Sequence, residues 1–268
     1  MSRISLKLTL EYVGTAYHGW QLQPGLPTVQ GVLQDCLSMV LRAPVSVNGA
    51  ARTDAGVHAY GQVASLEAPA EAGIERLQGS VNSLLPEDVS VRAVETAPAG
   101  FHARHAAVGR VYRYQIVDDP YLSPFLRGFT AHSRHRLDVD AMKDAASRLV
   151  GRKDFSAFKA SGDRSESPVK EIVRSEVRVE SGRQRMIVYT VEATSFLQYM
   201  VRNITGTLME VGRGRIRPEA MISLIDSRDR RNAGPTAPAA GLTLVEVRYP
   251  VLREGGAGDS ISTLDRDV

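Results

Sequence analysis

The sequence predicts an α+β protein made of two halves that share one element order: strand, helix, strand, strand, helix, strand. The first observation is an opening run in which apolar and polar residues alternate, as in a half-buried strand: Ile4, Leu6, Leu8, Leu10 and Tyr12. The second is that the same succession of patterns starts again near residue 110, although the halves do not repeat in sequence. We therefore expect halves at 1–105 and 106–250, followed by a tail at 251–268 whose glycines and charges predict disorder.

In the first half, Thr28 is predicted to cap a helix. The apolar face of that helix is Val29, Leu33, Cys36, Leu37 and Val40. The elements predicted after it are a short strand Val45–Val47, the loop with Asp54, a strand Gln62–Leu66, a helix from Ile74 to Leu84 and a strand Val89–Val94.

In the second half, Asp138 is predicted to cap a helix that Gly151 ends. The other predicted elements are strands at Arg110–Val117, Val173–Val179, Met186–Val191 and Leu242–Tyr249, and helices at Leu197–Val211 and Pro218–Ile225. This order is that of the ferredoxin-like fold, which is also the framework of a common RNA-binding module. Two such units could join their sheets into one mainly antiparallel sheet with a central cleft.

Composition limits the classes of site and location that the chain can have. The single cysteine, Cys36, excludes an internal disulfide and any site with several cysteine ligands, and its helical spacing predicts a core thiol. The first residues do not form an apolar leader, and no run approaches the roughly 20 apolar residues of a membrane helix. We therefore expect a cytoplasmic protein that does not bind membranes.

The net charge of +3 is unevenly distributed along the chain. Residues 1–100 carry 6 Lys and Arg against 9 Asp and Glu, whereas residues 101–250 carry 25 against 17. Most of the basic residues in the second half are arginines, whose planar guanidinium suits phosphate. A polyanionic partner such as RNA would use this asymmetry, and an ordinary solvated charged surface is an equal alternative on charge alone.

Several familiar catalytic motifs are absent from the sequence. It has no phosphate-binding G-x-x-x-x-G-K-[ST] motif, no complete dinucleotide-binding loop and no G-x-S-x-G nucleophile elbow. The six histidines are not grouped with cysteines as in a zinc deaminase. The sequence therefore favours a reaction that needs neither a metal nor another cofactor.

Asp54 is the sharpest candidate for chemistry. Gly56 permits turn conformations in its segment, and Arg52, two residues away, would hold the Asp54 carboxylate ionised by charge and hydrogen bonding. An ionised carboxylate can act as a nucleophile or a base. A turn with a structural ion pair is the alternative that these residue types allow.

The segment Arg52-Thr53-Asp54-Ala55-Gly56-Val57-His58-Ala59 resembles the signature of the TruA family of tRNA pseudouridine synthases. Other family-like segments are Tyr17–Gln23, Thr28–Gln30, Phe101–Arg104, Arg110–Tyr114, Met200–Asn203 and Gly241–Leu242, so the resemblance spans roughly residues 4–250. Two departures are Ala51, where glycine is usual, and His105, where an aromatic residue is usual. Neither touches the carboxylate.

The resemblance implies a pseudouridine synthase fold, a homodimer and conversion of uridines 38, 39 and 40 in the anticodon stem-loop. It implies that Asp54 is the nucleophile, attacking either C1′ of the ribose or C6 of the base. Arg52 would fill the space of the flipped nucleotide and hold phosphate or the Asp54 carboxylate. Arg202 would form an ion pair with Asp54.

The remaining candidates concern the uracil and its surroundings. By the same resemblance, Tyr112 would stack on the uracil and assist proton removal from C5, and Leu242 would cover the other side. Arg110 and His58 are candidate substrate-binding residues. For His58, a structural role through hydrogen bonds is the alternative, and Tyr112, Arg202 and Leu242 could instead be ordinary sheet, surface and core residues.

Three classes of function are compatible with the residues before the resemblance is counted. They are an RNA-modifying isomerase, an RNA-binding protein without catalysis and a small-molecule lyase or hydrolase with a lone aspartate. A carboxylate repels phosphate, so a pure RNA-binding protein has no use for Asp54. A small-molecule enzyme leaves the arginine-rich second half unexplained. The residues alone leave the three classes open, and the resemblance to the TruA family favours the isomerase.

Overall fold

The computed structural model describes residues 2–70, 73–163, 165 and 167–250. The first half contains β1 (Arg3–Tyr12), α1 (Val29–Leu41), β2 (Asn48–Gly49), β3 (His58–Pro69), α2 (Ile74–Asn82) and β4 (Val89–Ala97). The second half contains β5 (Gly109–Asp118), β6 (Ala131–Ser133), α3 (Val139–Ser147), β7 (Gly151–Asp154), β8 (Val169–Glu180), β9 (Met186–Ala193), α4 (Met200–Gly212), α5 (Ala220–Ser227) and β10 (Leu242–Arg248). The predicted α+β class is confirmed.

One sheet runs through both halves. Its strands follow the order β4-β1-β3-β10-β5-β9-β8-β7, with β2 added beside β3 and β6 beside β5. The halves meet where β10 pairs with β3 in parallel, with Thr243 opposite His58 and Leu244 opposite Ala59. β6 is also parallel to β5, and the other paired neighbours are antiparallel. The prediction of one mainly antiparallel sheet is therefore confirmed.

The last strand of the chain lies at the centre of this sheet. β10 lies between β3 of the first half and β5 of the second. The loop before β3 and the first residue of β10 are consequently brought to the same junction, although they are far apart in sequence. The predicted division at residues 105 and 106 falls between β4 and β5 and stays a prediction.

The α1 segment follows the sequence pattern closely. The Thr28 hydroxyl accepts a hydrogen bond from the Gly31 N–H, as expected of an N-cap. Four of the five predicted apolar residues are buried, and Val40 is half-buried against the core. Cys36 is among the buried residues, which confirms the core thiol.

The short strand predicted around Val45–Val47 is displaced: β2 is at Asn48–Gly49, and Val45–Val47 itself is not a strand. The Val47 N–H donates to Gln34 Oε1 at 2.9 Å, and its carbonyl accepts from Gln30 Nε2 at 2.8 Å. The Val45 N–H donates to the Ser38 hydroxyl at 3.3 Å. Because side chains of α1 satisfy these backbone groups, the segment does not pair as a strand.

The end of α3 also differs from the prediction. Asp138 caps the helix as expected, accepting from the N–H groups of Asp140 and Ala141. The helix ends at Ser147, whereas Gly151, at φ +104°, begins the unpredicted strand β7. β6 and β7 have three and four residues, which is too short for a period-2 pattern to predict. The predicted disordered tail lies outside the described residues.

Candidate active site

A cavity of about 730 Å³ opens at the junction of the two halves. The first half contributes the loop from Ala50 to Ala55, and the second contributes β5, the segment before α4 and the start of β10. Arg52, Asp54, Tyr112, Arg202, Leu242 and Arg110 all line it. The fold therefore brings six of the seven sequence-predicted site residues to one place.

The Asp54 loop is held by the connection between β1 and α1. The Trp20 N–H donates to the Thr53 carbonyl at 3.0 Å, and the Gly56 N–H donates to the Tyr17 carbonyl at 3.3 Å. The two parts of the chain pack closely because glycine is present, since a Cβ at Gly14 would lie 2.0 Å from the Val57 carbonyl oxygen. The backbone around the carboxylate is therefore fixed before any ligand binds.

Asp54 forms an ion pair with Arg202. Asp54 Oδ2 lies 3.2 Å from Arg202 Nη1, and the two side chains are only 19% and 16% exposed. Arg202 Nε also donates to the Ala237 carbonyl at 2.9 Å. Burial raises the pKa of Asp54, and the charge and hydrogen bond of Arg202 partly oppose that rise. The predicted pair between Arg202 and Asp54 is present across 148 residues of chain.

Arg52 is not the arginine that neutralises Asp54. Its side chain is exposed at the cavity, and the described residues show no hydrogen bond or ion pair between Arg52 and Asp54. In an extended chain, the side chains of Arg52 and Asp54 would point to the same face. Asp54 instead begins a turn in which its carbonyl accepts from the Val57 N–H at 3.1 Å, so that relation does not apply. The expectation that Arg52 holds the carboxylate is wrong.

Tyr112 and Leu242 lie beside the ion pair. Tyr112, on β5, packs edge-on against Phe196, with ring centroids 5.1 Å apart. Burial raises the pKa of Tyr112, and the nearby Tyr12 and Asp54 raise it further. Leu242 begins β10 and is 5% exposed. The cavity thus combines an aromatic ring, an aliphatic side chain and a paired carboxylate.

Arg110 lines the cavity, but its guanidinium N–H groups donate to backbone carbonyls of the protein. The guanidinium donates to the carbonyls of Ala50, Arg104, Ala107 and Thr194 at 2.8–3.3 Å. It therefore ties the two halves together, and direct contact between Arg110 and the substrate stays a prediction. No carboxylate pairs with it in the described part of the chain, and its charge adds a positive potential at the cavity wall.

His58 is outside the cavity. The Gly14 N–H donates to Nδ1 at 3.1 Å, so Nε2 carries the proton and donates to the Gly128 carbonyl at 2.9 Å. Its ring is 3% exposed and lies 5.0 Å from the Phe129 ring. Nδ1 is engaged within the first half and Nε2 bonds across to the second. These contacts favour the structural role of His58 over substrate binding.

His58→Gln is expected to lower the free energy of unfolding by about 1–3 kcal/mol at pH 8, because the amide cannot reproduce the two opposed ring nitrogens and a buried backbone group loses its partner. Burial lowers the pKa of His58 below 6.5. The stabilisation of the fold by neutral His58 is therefore complete above the unfolded pKa and is lost as pH falls below the unfolded pKa. The penalty of the variant should shrink between pH 8 and pH 5 in urea titrations. His135→Gln, a change at an exposed histidine, is the control. Equal penalties for His58→Gln at both pH values would contradict the stabilising role of neutral His58.

Sequence reasoning missed three residues that the fold adds to the cavity: Arg104, Phe196 and Tyr199. The signal for Arg104 is its place in the family-like Phe101–Arg104 segment. The signal for Tyr199 was its place just before the Met200–Asn203 segment, but no sequence pattern indicates that it faces a cavity.

The family model described as tRNA pseudouridine synthase matches residues 9–105 and 145–250. The chain belongs to the tRNA pseudouridine synthase family. The matched residues include the Asp54 loop, Arg202 and Leu242. The protein is therefore an isomerase that converts uridine in tRNA to pseudouridine.

Relatives named tRNA pseudouridine synthase A support the family assignment over nearly the whole chain. The protein from Ruminiclostridium cellulolyticum is 43% identical over 91% of this chain and 99% of the relative. That from Myxococcus xanthus is 45% identical over 95% and 97%, and that from Acetivibrio thermocellus is 41% identical over 91% and 99%. A crystal structure of an archaeal box H/ACA sRNP Nop10-Cbf5 complex matches with a TM-score of 0.32 at 11% identity, covering 76% of this chain and 43% of that one; this likeness is too distant to carry an argument.

None of the helices in the described residues has both the length and the apolar character needed to cross a membrane. The same part of the chain holds no group of three or more His, Cys, Asp or Glu placed to bind a metal ion.

Proposed function

We propose that this pseudouridine synthase isomerises uridines 38, 39 and 40 in the anticodon stem-loop of tRNA, with Asp54 as the nucleophile. The observation that carries the proposal is the Asp54–Arg202 ion pair, 3.2 Å long, inside a cavity to which both halves contribute. Removal of water makes a carboxylate more reactive, and the neighbouring guanidinium keeps it ionised for attack.

The reaction rearranges one nucleotide without a cofactor. Asp54 would attack either C1′ of the ribose or C6 of the base, and the bond between C1′ and N1 breaks. The base turns, a bond forms between C1′ and C5, and the bond to Asp54 breaks, which returns the free carboxylate. The proton on C5 is lost to solvent, and N1 gains a proton. The target must leave the stack for this chemistry, and a cavity of about 730 Å³ is large enough for a flipped nucleotide.

Tyr112 and Leu242 would hold the uracil from its two sides. The Tyr112 ring offers a stacking face, and its hydroxyl would assist proton removal from C5. The raised pKa of that hydroxyl means that it stays protonated at neutral pH, so it would relay a proton and not take one up as a phenolate. Arg52, exposed at the rim, is placed to occupy the gap that the flipped nucleotide leaves and to bind phosphate.

The charges around the cavity support a polyanionic substrate. Among the described residues, four arginines line it, namely Arg52, Arg104, Arg110 and Arg202, against two aspartates, Asp54 and Asp163. Because Asp54 is paired with Arg202, the remaining arginines leave a positive excess. Phosphates of the RNA backbone are attracted by such a surface, and the attraction weakens with salt.

Three further expectations, on the fold of each half, the oligomeric state and the location, accompany this proposal. Each half, with its strand-helix-strand-strand-helix-strand core, is inferred to be a ferredoxin-like unit of a pseudouridine synthase fold. The homodimer rests on family resemblance, and a clean monomer in size-exclusion chromatography would contradict it. A cytoplasmic location follows from the proposed tRNA substrate.

The test uses tRNA transcripts carrying tritium at C5 of uridine. The wild-type protein is expected to release tritium from a transcript with uridines at positions 38, 39 and 40, and to release none when all three are cytidine. A transcript with cytidine at three uridine positions outside the stem-loop is the matched control and should remain a substrate. Equal release from the first two transcripts would overturn the proposed position of modification.

A further inference from the structure

Tyr199 adopts a backbone conformation that tyrosine rarely occupies. It immediately precedes α4 with φ 61° and ψ 2°, in the left-handed region, and its side chain makes no capping hydrogen bond. Glycine or asparagine would occupy this position at lower cost. A strained residue at the wall of a reaction cavity calls for a reason that lies in its side chain.

The backbone on both sides of Tyr199 is clamped. The Gln198 N–H donates to Asp163 Oδ2 at 3.0 Å, and the Gln198 carbonyl accepts from the Ala160 N–H at 3.0 Å. The Tyr199 carbonyl accepts from the Asn203 N–H at 2.8 Å. These bonds hold the backbone of Tyr199 in place at the cavity wall.

The ring lies against Arg202. The guanidinium carbon is 4.8 Å from the centroid of the Tyr199 ring, which is within the range of a cation–π contact. The other contacts of the guanidinium are the hydrogen bond to the Ala237 carbonyl and the ion pair with Asp54. Tyr199 thus supports the face of the group whose edge binds the carboxylate.

This support matters when Asp54 reacts. An Asp54 oxygen that forms a bond to the nucleotide gives up its negative charge, and the ion pair no longer holds Arg202. The contact with the neutral Tyr199 ring does not depend on the charge of Asp54. Arg202 can therefore remain in place to stabilise the carboxylate when it leaves again.

We propose that Tyr199 is a positioning residue for the reaction: its ring, fixed by a left-handed backbone, keeps the Arg202 guanidinium against Asp54 through the catalytic cycle. The inference rests on the proposed role of Asp54 as the nucleophile. It assigns Tyr199 a function in the rate of reaction and none in tRNA affinity.

The experiment compares Tyr199→Phe, Tyr199→Leu and Tyr199→Gly in single-turnover tritium release at saturating enzyme, alongside tRNA binding. Tyr199→Leu removes the ring but retains the backbone strain, and Tyr199→Gly removes both. We expect Leu and Gly to slow the reaction about threefold to tenfold, with tRNA affinity unchanged. Phe should restore the wild-type rate to within about twofold, because the ring and not the hydroxyl makes the contact.

Thermal unfolding of each variant separates folding from positioning. Tyr199→Gly should be at least as stable as Tyr199→Leu, because glycine relieves the left-handed strain, so a slow glycine variant is not explained by instability. Wild-type rates in the Leu and Gly variants, or weaker tRNA binding with an unchanged saturated rate, would overturn the positioning role. The second outcome would instead assign the ring to RNA contact.

The same assay distinguishes failure of this inference from failure of the proposed function. If Asp54→Asn released tritium like the wild type, the nucleophile assignment itself would fall. If Asp54→Asn is inactive and the ring-deleting Tyr199 variants retain the wild-type rate, only the role of Tyr199 is rejected.

Discussion

Asp54→Asn is expected to reduce single-turnover tritium release by at least about 10⁴-fold, the scale on which removal of a nucleophile acts in enzymes. Asparagine preserves the shape of the side chain but cannot form the covalent bond. The tRNA affinity should be retained, since the arginines that would contact phosphate are unchanged. The measurement is release from a C5-tritiated transcript together with binding of the same transcript.

The stability of this variant provides an independent check on the electrostatics. Burial raises the pKa of Asp54 above 3.8, so ionisation of Asp54 lowers the free energy of unfolding. This cost is absent below the unfolded pKa and fully present above the folded pKa. Removing that ionisation should leave the free energy of unfolding at pH 7 no lower than in the wild type. Asp140→Asn, on a side chain that is 91% exposed, is the matched control and should keep full activity. Tritium release by Asp54→Asn at the control's rate would reject the nucleophile.

Arg202→Met is expected to slow the reaction about 10²- to 10³-fold at neutral pH, as when one preorganised donor is lost from an active site. The change also removes the charge and the hydrogen bond that oppose the raised pKa of Asp54. That pKa should therefore rise further. The acid limb of the rate–pH profile should move to higher pH, because a larger fraction of Asp54 is protonated at each pH.

The matched control for Arg202→Met is Arg92→Met. Arg92 forms a 3.6 Å ion pair with Glu11 in which both side chains are well exposed, and exposed pairs contribute little. Its rate and its acid limb should equal those of the wild type. If Arg202→Met lowered the rate without moving the acid limb, Arg202 would not be what keeps Asp54 ionised.

Several parts of the fold could be predicted because their causes are local. The alternation in β1, the Thr28 cap of α1 and the Asp138 cap of α3 depend on neighbouring residues. The predictions failed where contacts with other elements of the fold decide the local structure. Side chains of α1 satisfy the backbone at Val45–Val47, and Gly151 begins a strand that pairs with β8.

The site residues also divide into those that local sequence could predict and those that distant contacts decide. Asp54 could be found from its segment, since residue types and resemblance are properties of the sequence. The structural contacts of His58 and Arg110 could not be predicted, because their nitrogens bind backbone groups of both halves. Nothing within a short window of sequence indicates which carbonyls a buried donor will meet.

By itself, the sequence determined the α+β class, the order of most elements, the family-like motifs and the identity of the candidate nucleophile. Only the tertiary structure decided which arginine neutralises that carboxylate. Arg52 is two residues away, but its exposed side chain forms no ion pair with Asp54 in the described part of the chain, whereas Arg202 is 148 residues away and lies 3.2 Å from it. The physical reason is that β10 pairs with β3 in parallel, which joins the two halves at the point where the Asp54 loop ends and brings the cavity walls together.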